Sequence, residues 1–207
     1  MRLLAPLALT FLASACNPYR NNAASVRDAS HLPLNDYGAP DGFMVSRPVA
    51  CPPGTQDGDI QLAWDSGAKQ IRGRCQGGVM VGEWKAWYAN GEDRWLAMFA
   101  GGKLVGEFEG WYPNGEDRVE LTFVDGVANG WFKSWWDNGE TREKGEIIGG
   151  KRNGCWEGWH PNGEKAFKGT YADGTKVLTW LTWSETGVKQ KEKLGGQATH
   201  GKCLITW

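Results

Sequence analysis

The sequence predicts an all-β fold: an elongated single sheet of antiparallel β-hairpins built from a 24-residue repeat. Three observations predict it. Glycines recur in one register at Gly67, Gly91, Gly115, Gly139, Gly163 and Gly187. Aromatic residues recur in phase with them, and beyond Ala15 no segment shows helical periodicity. A fixed period in this range marks a stacked array of one supersecondary unit.

The columns hold without insertion or deletion from Gly58 to Trp207. Gly58, Gly82, Gly106, Gly130 and Gly154 open five units, and Leu178 opens a sixth. The third position reads Ile60, Trp84, Phe108, Phe132, Trp156, Trp180, and the sixth reads Ala63, Trp87, Trp111, Trp135, Trp159, Trp183. Leu204 and Trp207 continue these columns into a partial seventh unit.

Each unit reads as a hairpin. A short aromatic strand, such as Trp84–Tyr88, runs into a turn such as Tyr112-Pro113-Asn114-Gly115. Proline fixes φ near −65°, which suits a type I turn and forbids type I′. The glycine after asparagine then supplies the left-handed residue of a bulge. A second strand follows, and a second glycine turn (Asp125-Gly126, Gly149-Gly150, Asp173-Gly174) closes the unit. The second strand alternates with period two. One face carries Trp95, Ala97 and Phe99, then Val119, Leu121 and Phe123, then Phe167, Gly169 and Tyr171. The other carries Arg118, Glu120 and Thr122, then Arg142, Lys144 and Glu146. The middle inward residue is usually small, which predicts a twisted sheet with its aromatic face folded inward. One hairpin cannot bury such a face alone, so stability comes from neighbours.

The unit G-x-W-x-x-W-Y-x-N-G-E, a strand, then D-G, resembles the bacterial variant of the MORN repeat. The copies Gly82–Glu92, Gly106–Glu116, Gly130–Glu140 and Gly154–Glu164 carry the likeness. It implies elongated hairpin sheets acting in protein or membrane association, and some relatives are labelled antitoxins. The end units depart from it: Ala63 and Ser66 replace tryptophan and asparagine, and Leu178, Ser184 and Thr186 replace glycine, tyrosine and asparagine. Degenerate terminal units are what capping requires.

Residues 1–15 read as a signal peptide: Arg2, an apolar run from Leu3 to Leu12, then Ala13-Ser14-Ala15 before Cys16. The run is too short to span a bilayer. Ala13–Cys16 resembles a bacterial lipobox, with alanine where leucine is usual, and implies lipid attachment at Cys16. The other reading is an ordinary secretory signal leaving a free Cys16. By the same resemblance, Asn17 points to the outer membrane of a Gram-negative envelope, the acyl chains anchoring without a transmembrane helix. Residues 16–57 form a lipid-anchored tether and N-terminal cap segment, and 58–207 the repeats. The tether, read as a coil, reaches roughly 30 Å. The formal net charge is −1 and becomes −2 when Arg2 leaves with the signal. No basic face for nucleic acid or anionic lipid emerges.

Four further cysteines in an exported chain suggest disulfides. Cys51 precedes the repeats and Cys75 ends the first, so a Cys51–Cys75 bridge would lock the ragged end of the array. Cys155 and Cys203 share a column two units apart, roughly 19 Å by strand spacing. They can bond only if the array curls or breaks at its end.

The motifs of catalysis are missing: no G-x-S-x-G, P-loop or H-E-x-x-H. His31, His160 and His200 have no metal-ligand spacing, and His160 takes the tyrosine place of its unit. Asp57-Gly58-Asp59 lacks the other ligands of a calcium loop. Glu92, Glu116, Glu140 and Glu164 follow the turns, which explain them. No enzyme, cofactor or metal is expected. Trp87, Trp111, Trp135, Trp159 and Trp183 are the candidate partner-binding residues: they either cover the second face of the sheet or form an exposed ladder. The expected function is that of a lipid-anchored protein-interaction scaffold. The alternatives are a carbohydrate or cell-wall-binding module and an antitoxin or immunity partner.

Overall fold

The computed structural model describes residues 48–52 and 54–204. The signal segment, Cys16, most of the tether and Trp207 lie outside the described residues. Twelve strands follow one another: β1 Gly58–Ala63, β2 Lys69–Gln76, β3 Val79–Trp87, β4 Asp93–Ala100, β5 Lys103–Trp111, β6 Asp117–Val124, β7 Val127–Trp135, β8 Thr141–Ile148, β9 Lys151–Trp159, β10 Lys165–Ala172, β11 Thr175–Trp183 and β12 Lys189–Lys193. They form one antiparallel sheet in chain order. The all-β, sequential-hairpin expectation is therefore met.

Two turn chemistries alternate along the two rims. At the Asn-Gly rim the Gly115 amide donates to the Tyr112 carbonyl (3.0 Å), and the Tyr112 amide donates to the Glu116 carbonyl (2.8 Å). Gly115 has φ 86°, so this is a type I turn closed by a left-handed bulge glycine. At the opposite rim Asp125 and Gly126 take φ 51° and 81°, the signature of a two-residue type I′ turn. The first strand of each unit reaches further than its aromatic run predicts. β3, β5, β7 and β9 begin several residues before the aromatic run, and each is bulged near a left-handed glycine: Gly82, Gly106, Gly130 or Gly154. Leu178 keeps the conformation of that column at φ 62°, where a leucine is strained.

One face holds the core. Trp84, Ala86, Trp95, Ala97, Phe99, Phe108, Val119, Leu121, Phe123, Phe132, Ile147 and Trp156 are all buried there. Among the described residues the sheet has no second layer, and these rings are covered by one another and by close approach to backbone. A Cβ at Gly73, Gly145 or Gly169 would lie 2.0, 2.3 or 2.2 Å from the ring of Trp84, Trp156 or Trp180. Each indole also donates to a backbone carbonyl at 3.2 Å: Trp84 to Arg74, Trp156 to Glu146, Trp180 to Thr170. Ala97 lies between Trp84 and Phe108, and Leu121 between Phe108 and Phe132.

Both ends are stapled. Cys51 and Cys75 are bonded, with Cα atoms 6.1 Å apart. Cys155 and Cys203 are bonded as well, with Cα atoms 4.6 Å apart. Strand spacing forbids that pair in an unbroken array, and the array does break. The partial seventh unit adds no strand among the described residues, and the chain after β12 folds back across the sheet. β12 itself pairs with β11 without the register shift that the other Asn-Gly-rim hairpins carry. Its residues are all exposed. Lysines 189, 191 and 193 on this open edge discourage further strand pairing.

Candidate partner-binding surface

Among the described residues, three rows of side chains make the face opposite the core. The first row runs beside the Asn-Gly turns and is the tryptophan column. Trp87, Trp111, Trp159 and Trp183 are half-buried, and Trp135 is buried. The column is thus neither a free ladder nor a core. Its backbone is tied to the preceding unit at every step. The Tyr88 hydroxyl donates to the Trp111 carbonyl and that of Tyr112 to the Trp135 carbonyl, both at 2.8 Å. The Trp136 indole donates to the Trp159 carbonyl at 2.9 Å. His160 Nε2 lies 2.8 Å from the Trp183 carbonyl, so this histidine does the tyrosine's work in its unit. The Tyr112 phenol is pushed up by burial, against the opposing charges of Arg118 and Arg142.

Cations lie over the indole faces. The Lys133 ammonium is 4.3 Å from the Trp135 ring centre, and Lys144 and Lys165 are 5.2 and 5.1 Å from that of Trp159. Lys69 and Lys85 stand over Trp87, each at 5.6 Å. Such contacts are attractive and hold the rings and the lysine stems together.

The second row runs along the middle of the sheet, strand by strand: Arg72, Lys85, Leu96, Glu109, Glu120, Lys133, Lys144, Glu157, Lys168 and Leu181. Its charges are unevenly matched. Glu157 is ringed by Lys168 at 3.0 Å, Lys165 at 3.4 Å and Lys144 at 3.9 Å. Burial alone would raise its carboxyl, but the hydrogen bond from Lys168 and the charges of Lys165 and Lys168 hold it below the usual range. Glu109 and Glu120 sit directly opposite each other. The Glu120 carboxyl is pushed up by burial first, then by Asp117, Glu109 and Glu107, against the pull of Lys133.

The third row was not singled out from the sequence. It contains Glu83, Met98, Glu107, Thr122, Trp131, Glu146 and Cys155. Met98 is 43% exposed and Trp131 is 73% exposed. The signal was legible, since Trp131 follows Asp59, Glu83 and Glu107 in its column. A shallow groove of ≈ 310 Å³ lies here, lined by Glu83, Leu96, Met98, Glu107 and Glu109.

The column Glu92, Glu116, Glu140 belongs to the turns. Each carboxylate lies over the turn glycine of the next unit, Gly115, Gly139 or Gly163. Asparagines complete the rim: the Asn114 side-chain amide donates to the Asp137 carbonyl at 2.6 Å while its oxygen accepts from the Glu116 amide at 3.2 Å. Cys51 and Cys75 are brought together at the first repeat. Cys16 lies outside the described residues.

A family model described as the MORN repeat variant matches residues 152–173, which cover most of β9 and β10. No protein of curated function matches the chain. Among solved structures, a chain in the crystal structure of a GtfA/B complex bound to UDP and GlcNAc is similar over 79% of this chain, at 12% identity and a TM-score of 0.25. This chain spans 29% of that one's length.

Proposed function

We propose that this protein is a non-enzymatic interaction scaffold, held at a bacterial envelope by a lipid on Cys16, and that the face opposite its core binds a protein partner. The observation that carries the reading is the division of labour between the two faces. One face is spent on packing, with rings pressed onto glycine backbone. The other is a continuous surface of half-buried tryptophans and charged rows. Rows that continue across many strands suit an extended partner gripped at several weak points, whose contributions accumulate.

A protein partner is favoured over a glycan by the lysines on the tryptophan faces. A sugar ring binds an indole by stacking on its face, and at Trp87, Trp135 and Trp159 it would compete with the ammonium groups that lie over the rings. An envelope location rests on Ala13-Ser14-Ala15-Cys16 and on the two disulfides, which suit an oxidising compartment.

The test is affinity purification of the full-length protein from native envelopes, beside a Trp111→Ala/Trp159→Ala variant shown to be folded. The wild type should recover a protein that the variant loses, and Cys16→Ala should leave the membrane pellet. Recovery of cell-wall glycan alone would refute the scaffold reading, and unchanged partitioning of Cys16→Ala would refute the anchor.

A further inference from the structure

The chain carries its own demonstration of how this face binds an extended segment. After β12, residues 194–203 run back over the third row of the surface. The Leu178 amide donates to the Gly195 carbonyl at 3.4 Å. The Thr199 hydroxyl donates to Asn153 Oδ1 at 3.2 Å, and the Cys203 amide donates to Thr170 Oγ1 at 3.0 Å. Cys203 is bonded to Cys155. Val177 lies beneath Gly196 and is buried. The bed of this strap is therefore Gly154, Cys155, Thr170 and Val177. Gly154 matters because it has no side chain: a Cβ there would meet the Gly201 carbonyl at 3.0 Å.

The repeat places the same bed elsewhere on the sheet. Two units back it is Gly106, Glu107, Thr122 and Asn129, and three units back it is Gly82, Glu83, Met98 and Val105. At Gly82 and Gly106 a Cβ would meet no described residue within 4 Å. No described residue fills these beds as the strap fills the last one. They also differ from it in charge. Glu107, Glu109 and Glu120 have no ion-pair partner within 4 Å among the described residues, and Met98 and Trp131 flank them with exposed apolar surface. Carboxylates placed directly across strands cost stability, so this sequence keeps a charge distribution that folding alone would not favour.

We propose that the trough over Gly82 and Gly106 binds an extended, lysine- or arginine-bearing segment of a partner protein, laid across the strands as the C-terminal strap is laid over Gly154. The proposal rests on the scaffold reading and names the partner's chemistry. The partner's cations would face Glu107, Glu109 and Glu120. An apolar side chain between them would enter the groove beside Leu96 and Met98.

The probe is a labelled peptide alternating lysine and serine around a central leucine, with a glutamate-for-lysine counterpart, titrated into the full-length protein at physiological salt. The lysine peptide should bind and the glutamate peptide should not. Glu107→Gln/Glu109→Gln/Glu120→Gln should weaken binding at least about tenfold, as expected when several charge contacts are lost together. That variant removes a like-charge pair, so its melting temperature should not fall, which separates lost binding from lost fold. Amide shifts on adding peptide should centre on Met98, Glu107 and Thr122. Equal binding by the triple variant, or by both peptides, overturns the proposal. Shifts centred on Trp111 and Trp159 overturn the trough while leaving the scaffold reading standing. A wild-type dimer that the triple variant dissociates makes a second copy the occupant and overturns it as well. If the triple variant still captures the envelope partner recovered by wild type, the scaffold holds but the trough is not its site.

Discussion

The indole of Trp84 fills the space that a side chain at Gly73 would need, with 2.0 Å between the ring and the place of a Cβ. Its nitrogen donates to the carbonyl of Arg74, at 3.2 Å. The relationship recurs at Gly145 under Trp156 and Gly169 under Trp180. An indole packs onto the backbone where the residue beneath it has no side chain, and such size matching is what a close-packed interior demands.

That matching predicts a coupled swap. Phe108→Trp alone should overpack the site above Ala97 and cost about 1–3 kcal/mol. Ala97→Gly alone should cost roughly 0.5–1 kcal/mol, since glycine loses more conformational freedom on folding. The double variant should recreate the Gly73–Trp84 arrangement and cost clearly less than the sum. Urea melts of the three variants measure the coupling, and simple additivity would show that the size matching carries no energy.

The ties between units predict a hydrogen-bond cost. Tyr112→Phe removes the donor to the Trp135 carbonyl and should destabilise by about 1–2 kcal/mol, through a lost bond and a carbonyl left poorly satisfied. Asn114→Ala, at an exposed turn, should cost less. A larger loss at Asn114 would mean that the rim, not the tyrosine column, couples the units.

Two glutamates on the same face predict opposite pH effects. Glu157 is held below the ordinary carboxylate range. Its ionised form therefore stabilises the fold above the unfolded value near 4.3, and that contribution is lost as pH falls through the folded value. Glu120 is pushed above the ordinary range. Its penalty is absent below the unfolded value and is fully present once pH has risen through the folded one. Glu157→Gln should lower the melting temperature at pH 7, and Glu120→Gln should raise it. Both differences should shrink on acidification, and both should be small, because both carboxylates reach solvent. Effects of the same sign at neutral pH would contradict the charge arrangement.

Much of this was legible in the sequence, because in a repeat one column is read many times over. Gly115 announced its left-handed bulge through the Pro-Asn-Gly context, and the alternation of Trp95, Ala97 and Phe99 announced the core face. The Cys155–Cys203 bridge was not legible. Strand spacing gives the right separation only for an unbroken array, and no column of the repeat marks that strands stop at Lys193 among the described residues. The strap's bed was hidden for a related reason. Gly154 looked like a register mark shared with Gly82 and Gly106, and only the position of Gly201 shows that the missing side chain makes room for another segment. The tryptophan column divides unevenly between surface and packing because its burial depends on which lysines and neighbouring strands cover each ring, and the column pattern does not encode that.

The column therefore predicts a graded result. Trp135 is 8% exposed and has the Lys133 ammonium 4.3 Å from its ring centre, so Trp135→Ala should behave as a core truncation and cost roughly 3–5 kcal/mol. Trp111 and Trp159 are half-buried, and less of each ring is shielded from water by the folded chain. Their alanine variants should cost less than that of Trp135 and remain folded, which suits them to tests of binding. Melting curves for the three variants order them directly. If all three lose the same large amount, the column is structural throughout and the partner must use the charged rows instead. If Trp135→Ala is as mild as the others, its burial is incidental, and all three can serve as contacts for an extended partner.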